Sequence, residues 1–280
     1  MTTRLYLVHL LSPLQMGAGR ATEGGKRPIA RLPSSGIPMV PGSALQRVWR
    51  PAATGEAPVG GLVVGDAHLL ALPVRSGRGV FAWVTAPVLL AWAHHCLPGG
   101  TGLPDLPTPG PQEVLVGHLS AAPVVEPATG MVHLEGVPGR AREDLLTAQW
   151  AEWLAPALAT RGGSAWFAHR WVVVPDDRMA RLWQTATQRD TRIRLDGDTR
   201  TVAKGAVWVE ESLPPESLLL GGFSMEEIPP EGGDRSADGG MEGIWPVERM
   251  VQLGGRATIG RGRCRLLPLS NGGRSAVDGR

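Results

Sequence analysis

The chain opens on a nearly continuous apolar run in which Leu5, Leu7 and Leu11 interleave with Tyr6, Val8 and Leu10, and His9 is the one interruption. A run of this length and continuity predicts a strand covered on both faces. A Gly- and Pro-rich stretch over 16–42 follows. GSALQRVWR then carries Leu45, Val48 and Trp49 at helical spacing behind Ser43, a residue type that caps helices. Segments 62–74 and 79–85 predict two strands joined by a short Arg/Gly turn. PVLLAWAHHCL predicts a helix from Pro87, because proline's fixed φ suits the first helical position. Residues 98–111 form a Pro/Gly-rich loop.

In the second half, REDLLTAQWAEWLAPAL places Leu146, Trp150, Trp153 and Leu154 on one helical face with acids in the first turn. WFAHRWVVV predicts a strand, and PDDRMARLWQTA predicts a further capped helix. RIRLDGDTRTVAKGAVWVEESL alternates over 192–195 and 206–210 around a polar, Gly-containing middle, the pattern of a long hairpin. The acidic, Gly-rich tract 226–243 is expected to be mobile. A last helix is expected around 247–253, leading through GGRATIGRGR into the strand CRLLPL, with 270–280 a disordered tail. Helices and strands interleave through short loops and hairpins, which predicts an α+β fold with antiparallel sheets, and residues 1–269 read as one domain.

With 280 residues, 42% of them apolar, the chain can build a substantial core. Net charge is only +2, but the lysines are Lys26 and Lys204 alone, so nearly all of the 28 positive side chains are arginines. Guanidinium forks suit phosphate; the charge permits a nucleic-acid partner without demanding one. Cys96 and Cys264 lie far apart with no metal-ligand spacing, which suggests neither zinc nor a disulfide framework and fits a reducing cytoplasm. The N-terminal apolar run is too short to span a bilayer, so a soluble protein with no membrane partner is expected.

Candidate chemistry is sparse. His94 and His95 sit on an apolar helix without a spaced partner, and Asp176 and Asp177 have the place of helix caps. Glu210 and Glu211 end a strand ahead of Pro214 and Pro215, as a solvated hairpin end or as a site. GAGRATEGG and GGRATIGRGR are glycine-rich with interspersed arginines, so their amides can approach phosphates, but neither has the G-K-[ST] ending of a P-loop. The ten tryptophans fall mostly at core spacing.

Five blocks occur in a telling order: PGSALQRVWR, VGDAHLLALPVRSGRGVFAWVTAPVLL, VVVPDD, RIRLDGDTRTVAKGAVWVEESLPPESLLL and LGGRATIGRGR. In that order they resemble the repeated backbone subunit of type III-B CRISPR (Cmr) effector complexes, of the RAMP superfamily. The match runs from about residue 5 to residue 269, and its most specific part is the DA-x-LL strand, PVRS and G-x-FAWVT-x-P junction. The resemblance implies a modified ferredoxin-like, RRM-type palm with inserted finger segments and a β-hairpin thumb at approximately 192–222. It implies a guide-RNA-binding ribonucleoprotein subunit of antiviral defence, stacking with further copies of itself along crRNA. Complementary target RNA and other type III subunits, including the large polymerase-like one, are the remaining partners it implies.

Carried over by position, Ser43, Arg47 and Arg50 match the family's PGSS-L-K-G-x-LR segment, with Gln46 where the family has lysine. Arg75 and Ser76 match PVRS, and Arg256 and Arg261 lie in the terminal glycine-rich loop. All are expected RNA contacts. GGKRPIARLP (24–33) resembles the V-D-L-P-I-Q-R-E segment of target-slicing members, whose aspartate falls on Lys26 when Pro28, Ile29 and Arg31 are aligned. A lysine cannot ligate a cation, and Gln15 stands where the family has a histidine. Impaired slicing is therefore expected, with no catalytic residue assigned and Lys26, Arg27 and Arg31 meeting phosphate. Two alternatives remain. One is active cleavage with Mg2+ or Mn2+ through Glu23 or Glu210; no cofactor is expected otherwise. The other is a single-copy crRNA-processing endonuclease, against which the lack of a histidine-based acid/base set argues.

Overall fold

The computed structural model describes residues 2–17, 26–49, 62–97, 102–159, 164–195, 202–225 and 248–269. In chain order the elements begin with β1 (Thr2–Leu10), β2 (Lys26–Arg27), β3 (Met39–Val40), α1 (Gly42–Trp49), β4 (Leu62–Val64), β5 (Ala67–Arg75), β6 (Phe81–Thr85) and α2 (Pro87–Cys96). There follow β7 (Glu113–Val116), β8 (Met131–Leu134), β9 (Val137–Glu143), α3 (Leu145–Leu158), α4 (Ser164–Ala168), β10 (Trp171–Val173) and α5 (Asp176–Thr185). The chain closes with β11 (Gln188–Leu195), β12 (Val202–Ser212), β13 (Leu218–Met225), β14 (Arg249–Gln252), a 3-10 turn over Ala257–Ile259 and β15 (Arg263–Pro268).

The first strand is covered on both faces, as its unbroken apolar run predicts. Leu5 and Leu7 point into one core with α2 and α3, where Leu90, Trp150 and Leu154 are buried. Tyr6, Val8 and Leu10 point into a second core with Leu45 of α1 and Met179 of α5. Because side chains alternate across a strand, one segment contributes to both. Each large apolar side chain buried this way contributes about 1.5–3 kcal/mol.

Among the described residues, twelve strands form one sheet in the order β14-β15-β1-β13-β5-β6-β10-β7-β9-β8, with β3 added to β5 and β4 to β13. The sheet returns on itself. A bridge between Ser76 and Leu134 joins β8 to the end of β5, flanked by bonds from Gly77 N–H to His133 O and from Glu135 N–H to Arg75 O, each 2.9 Å. Closing the far half this way leaves β8 no bare edge. A separate three-stranded sheet, β11-β12-β2, carries the hairpin. The fold is α+β, and no helix among the described residues is long and apolar enough to cross a membrane.

Several expectations need correction. WFAHRWVVV divides into α4 and β10 rather than forming one strand, and the helix expected around 247–253 is the strand β14, paired antiparallel with β15. The hairpin arms run from Gln188 to Ser212, whereas 218–222, expected in the thumb, lie in β13 of the large sheet. Helix α1 begins at Gly42, whose N–H donates to Asp66 Oδ1 at 2.7 Å, so the cap comes from the DA motif and not from Ser43. Asp176 likewise accepts from Val88 N at 2.9 Å and serves the start of α2, while Asp144 caps α3 by accepting from Thr147 N at 2.8 Å. The tract 226–243 and the tail 270–280 lie outside the described residues.

Candidate nucleic-acid interface

Three segments far apart in sequence meet around a cleft of about 590 Å³: the β2 strand with Arg27, helix α1 with Ser43 and Arg47, and the glycine-rich loop at Gly254 and Gly255. Gln15 lies on its wall. Strand β2 reaches this place by pairing parallel with β12, Lys26 opposite Val209 and Arg27 opposite Glu210. The α1 contribution follows from helical spacing, because Leu45 turns into the core while Ser43 and Arg47 stay exposed.

The glycine-rich loop owes its shape to backbone that only glycine takes without strain. Gly254 has φ +67, and a Cβ there would press on the Gln15 carbonyl; Gly262 has φ +77, and a Cβ would overlap the Leu253 carbonyl. With those approaches allowed, Gly262 N–H donates to Pro13 O at 3.0 Å and Leu253 N–H donates to Gly262 O at 2.9 Å, closing the loop around the 3-10 turn.

Cations divide into those facing the cleft and those committed inward. Arg27 is exposed, with its guanidinium 5.6 Å from the Trp208 ring centroid, a cation–π arrangement that leaves its donors accessible. Arg47 is exposed in the last turn of α1. Arg31, in contrast, donates to Glu211 Oε1 at 2.8 Å, to Trp183 O at 3.1 Å and to Gly36 O at 3.0 Å. Arg261 is buried and donates to Ser212 Oγ at 2.9 Å and Asp190 Oδ2 at 2.5 Å. Arg256 donates to Glu210 Oε1 at 2.6 Å. These three arginines bind the hairpin to the rest of the molecule through the partners they already have.

Glu210, a fallback catalytic acid, is fully buried on β12. Burial alone raises its pKa, but hydrogen bonds from Trp208 Nε1 and Arg256, with the charges of Arg256 and Arg192, outweigh it and hold the carboxyl below the ordinary glutamate range. Asp190 is lowered in the same way by Arg261 and Gln188 against its burial. A carboxylate so held is a poor proton acceptor at neutral pH. Its neighbour Glu211 points to the opposite face and accepts from Arg31, from Thr187 Oγ1 at 2.8 Å and from Ile29 N at 3.2 Å.

The remaining sequence candidates are dispersed. Ser76 is buried at the β5–β8 seam, and Arg75 is exposed beside Glu135 at 4.0 Å; neither lines the cleft. Glu23 and Arg50 lie outside the described residues, and of Lys26 only the backbone is described. Asp190 and Trp208 also organise the hairpin base, and no motif in the sequence marks them. The alternation of 206–210 places Trp208 and Glu210 on one face; nothing local names their partners across the fold.

Residues 46–265, well over half of the chain, match the family model of the RAMP superfamily. The chain belongs to the RAMP superfamily. Among RAMP proteins, the CRISPR system Cmr endoribonuclease Cmr4 of Pyrococcus furiosus is 26% identical over 293 aligned residues, covering 92% of this chain and 94% of that protein. The crystal structure of oligomeric Cmr4 from Pyrococcus furiosus superposes with a TM-score of 0.72 at 20% identity, covering 96% of this chain and 99% of that one. A subunit of the type III-B Cmr-beta complex bound to cognate target RNA, solved by cryo-EM, gives a TM-score of 0.67 at 19% identity, covering 96% and 98%. These superpositions show a shared RAMP fold across nearly the whole chain.

Proposed function

We propose that the chain is a guide-RNA-binding backbone subunit of a type III CRISPR ribonucleoprotein. Copies of it polymerise along crRNA and hold the duplex of guide and complementary target RNA, beside other effector subunits that include the large polymerase-like one. The observation that carries this reading is the cleft itself, where Arg27 and Arg47 meet the exposed backbone of a glycine-rich loop. Such a groove suits a sugar-phosphate chain: guanidinium groups supply charge and forked donors, and sequence is left to base pairing. Relatives described as an oligomeric Cmr4 and as a Cmr-beta complex with cognate target RNA have the same fold.

In this reading target slicing is impaired or lost. The residues present do not fit a divalent cation at the position matched to the family's aspartate, because Lys26 carries an ammonium group there and repels a metal ion. Among the described residues no group of three or more His, Cys, Asp or Glu gathers to share an ion. Glu210 is already engaged by guanidiniums. The related Cmr4 is named an endoribonuclease, which keeps a cutting subunit as the second reading, with Glu23 as its acid. End-labelled complementary RNA, incubated with the guide-loaded complex and Mg2+ or Mn2+ against a chelator control, decides between them. Tight binding without products is the expected result. Regularly spaced, metal-dependent products that vanish in Glu23→Ala would establish cleavage instead.

A further inference from the structure

One carboxylate at the base of the hairpin pairs with cations from two separate elements and fixes the ring over which a third stacks. Glu210 accepts from Arg256 Nη2 at 2.6 Å and from Trp208 Nε1 at 2.9 Å through a single oxygen, Oε1. Its other oxygen lies 3.4 Å from Arg192 Nε, close enough for charge pairing, and neither of those two atoms makes a hydrogen bond to a described residue. Trp208, whose indole N–H Glu210 fixes, is the ring over which Arg27 stacks. The carboxylate therefore touches the glycine-rich loop through Arg256, the first hairpin arm through Arg192 and the cleft cation on β2 through Trp208.

This is an odd place for an anion. Its side chain is 1% exposed, whereas Arg256 and Arg192 keep 40% and 33% of theirs exposed. A fixed negative charge behind a groove for phosphates weakens the groove unless it does something else. What it does here is hold Arg256 by a short, charge-assisted bond to the hairpin, at a backbone position, φ +69, that arginine rarely adopts.

Resting on the reading of the cleft as an RNA site, we propose that Glu210 is a positioning residue that withholds Arg256 from RNA and pins the hairpin to the cleft wall. The phosphate-contacting set is thereby confined to cations without a carboxylate partner among the described residues, Arg27 and Arg47. A guanidinium already neutralised by a carboxylate releases no counterion when phosphate approaches, so it leaves no mark on the salt dependence of binding. Freed from Glu210, Arg256 becomes a phosphate contact and adds one.

The test is the slope of log K against log salt concentration, read by fluorescence anisotropy of a labelled, unstructured single-stranded RNA titrated with the full chain. Glu210→Gln keeps an oxygen for Trp208 and removes the charge. It should steepen the slope by about 0.7, roughly a fivefold greater loss of affinity per tenfold rise in salt. Arg256→Ala alone should leave the wild-type slope unchanged and should abolish the increase when combined with E210Q. Glu210→Asp, which keeps the charge, should restore the wild-type slope.

An E210Q slope equal to wild type, or a shallower slope in R256A alone, would overturn the assignment while leaving the RNA reading intact. Absence of any salt-dependent binding by the wild-type chain would overturn both. Should E210Q fail to fold, R256A decides by itself: an unchanged slope supports the withholding of Arg256 and a shallower one refutes it.

Discussion

Val80 occupies backbone space that β-branched residues avoid. Its φ is +75, its side chain is 79% exposed, and Phe81 N–H donates to Gly79 O at 3.0 Å across it, the geometry of a strained γ-turn. No packing compensates the strain, so Val80→Gly is expected to raise stability by about 1 kcal/mol, measured as a shift in the denaturant midpoint at constant m. Arg31 lies at the other extreme. Its side chain is 21% exposed against a Glu211 that is 12% exposed, and it also satisfies two carbonyls. Arg31→Ala leaves the carboxylate short of its cation and should cost about 2–4 kcal/mol in the same unfolding measurement. The RNA salt slope should not move, which separates a structural arginine from a phosphate contact.

The hairpin is held at its base by acids on opposite faces of β12 and by Asp190 on β11. Glu210 and Asp190 both have folded pKa values below their ordinary 4.5 and 3.8. The stability they contribute is therefore fully present above those ordinary values and is lost as pH falls through the lowered ones. Urea midpoints recorded from neutral pH downward should hold above about pH 4.5 and then decline, and E210Q should decline less because its share is already gone.

The hairpin was legible in the sequence because alternation over 206–210 survives without knowledge of partners; so was β1, whose apolar run fits only a doubly covered strand. Strand β14 was not. RMVQ is too short to show a period, and its pairing with β15 is what makes it a strand. Strands β7 and β8 are just as short, the longer β9, VPGRARE, has no apolar alternation, and WFAHRWVVV hid a break because Phe167 and Trp171 are buried in the same core. The cleft was legible in part. Ser43 and Arg47 follow from the ordered blocks and Arg27 from the match of GGKRPIARLP, but which arginines are already committed depends on Asp190, Glu210 and Glu211, whose roles exist only in the folded chain.

At the scale of the whole molecule, a net charge of +2 over 280 residues is too small a field to gather RNA on its own. Many arginines are spent internally: Arg31, Arg142, Arg256, Arg261 and Arg265 each face a carboxylate within 3 Å. What remains is local, and the sheet's topology decides where. Parallel pairing of β2 with β12 sets Arg27 beside the hairpin, Asp66 seats α1 so that Arg47 faces the same space, and the glycine-rich loop closes the third side. Affinity for a polyanion should therefore depend on two side chains far more than on total charge. Combining Arg27→Ala with Arg47→Ala should make the salt slope shallower by about 1.4, two single-strand phosphate contacts. Replacing two exposed arginines elsewhere, Arg140 and Arg181, lowers net charge equally and should leave the slope near wild type. Equal effects from both pairs would mean that RNA is attracted by the diffuse charge of the surface and that the cleft has no special part in holding it.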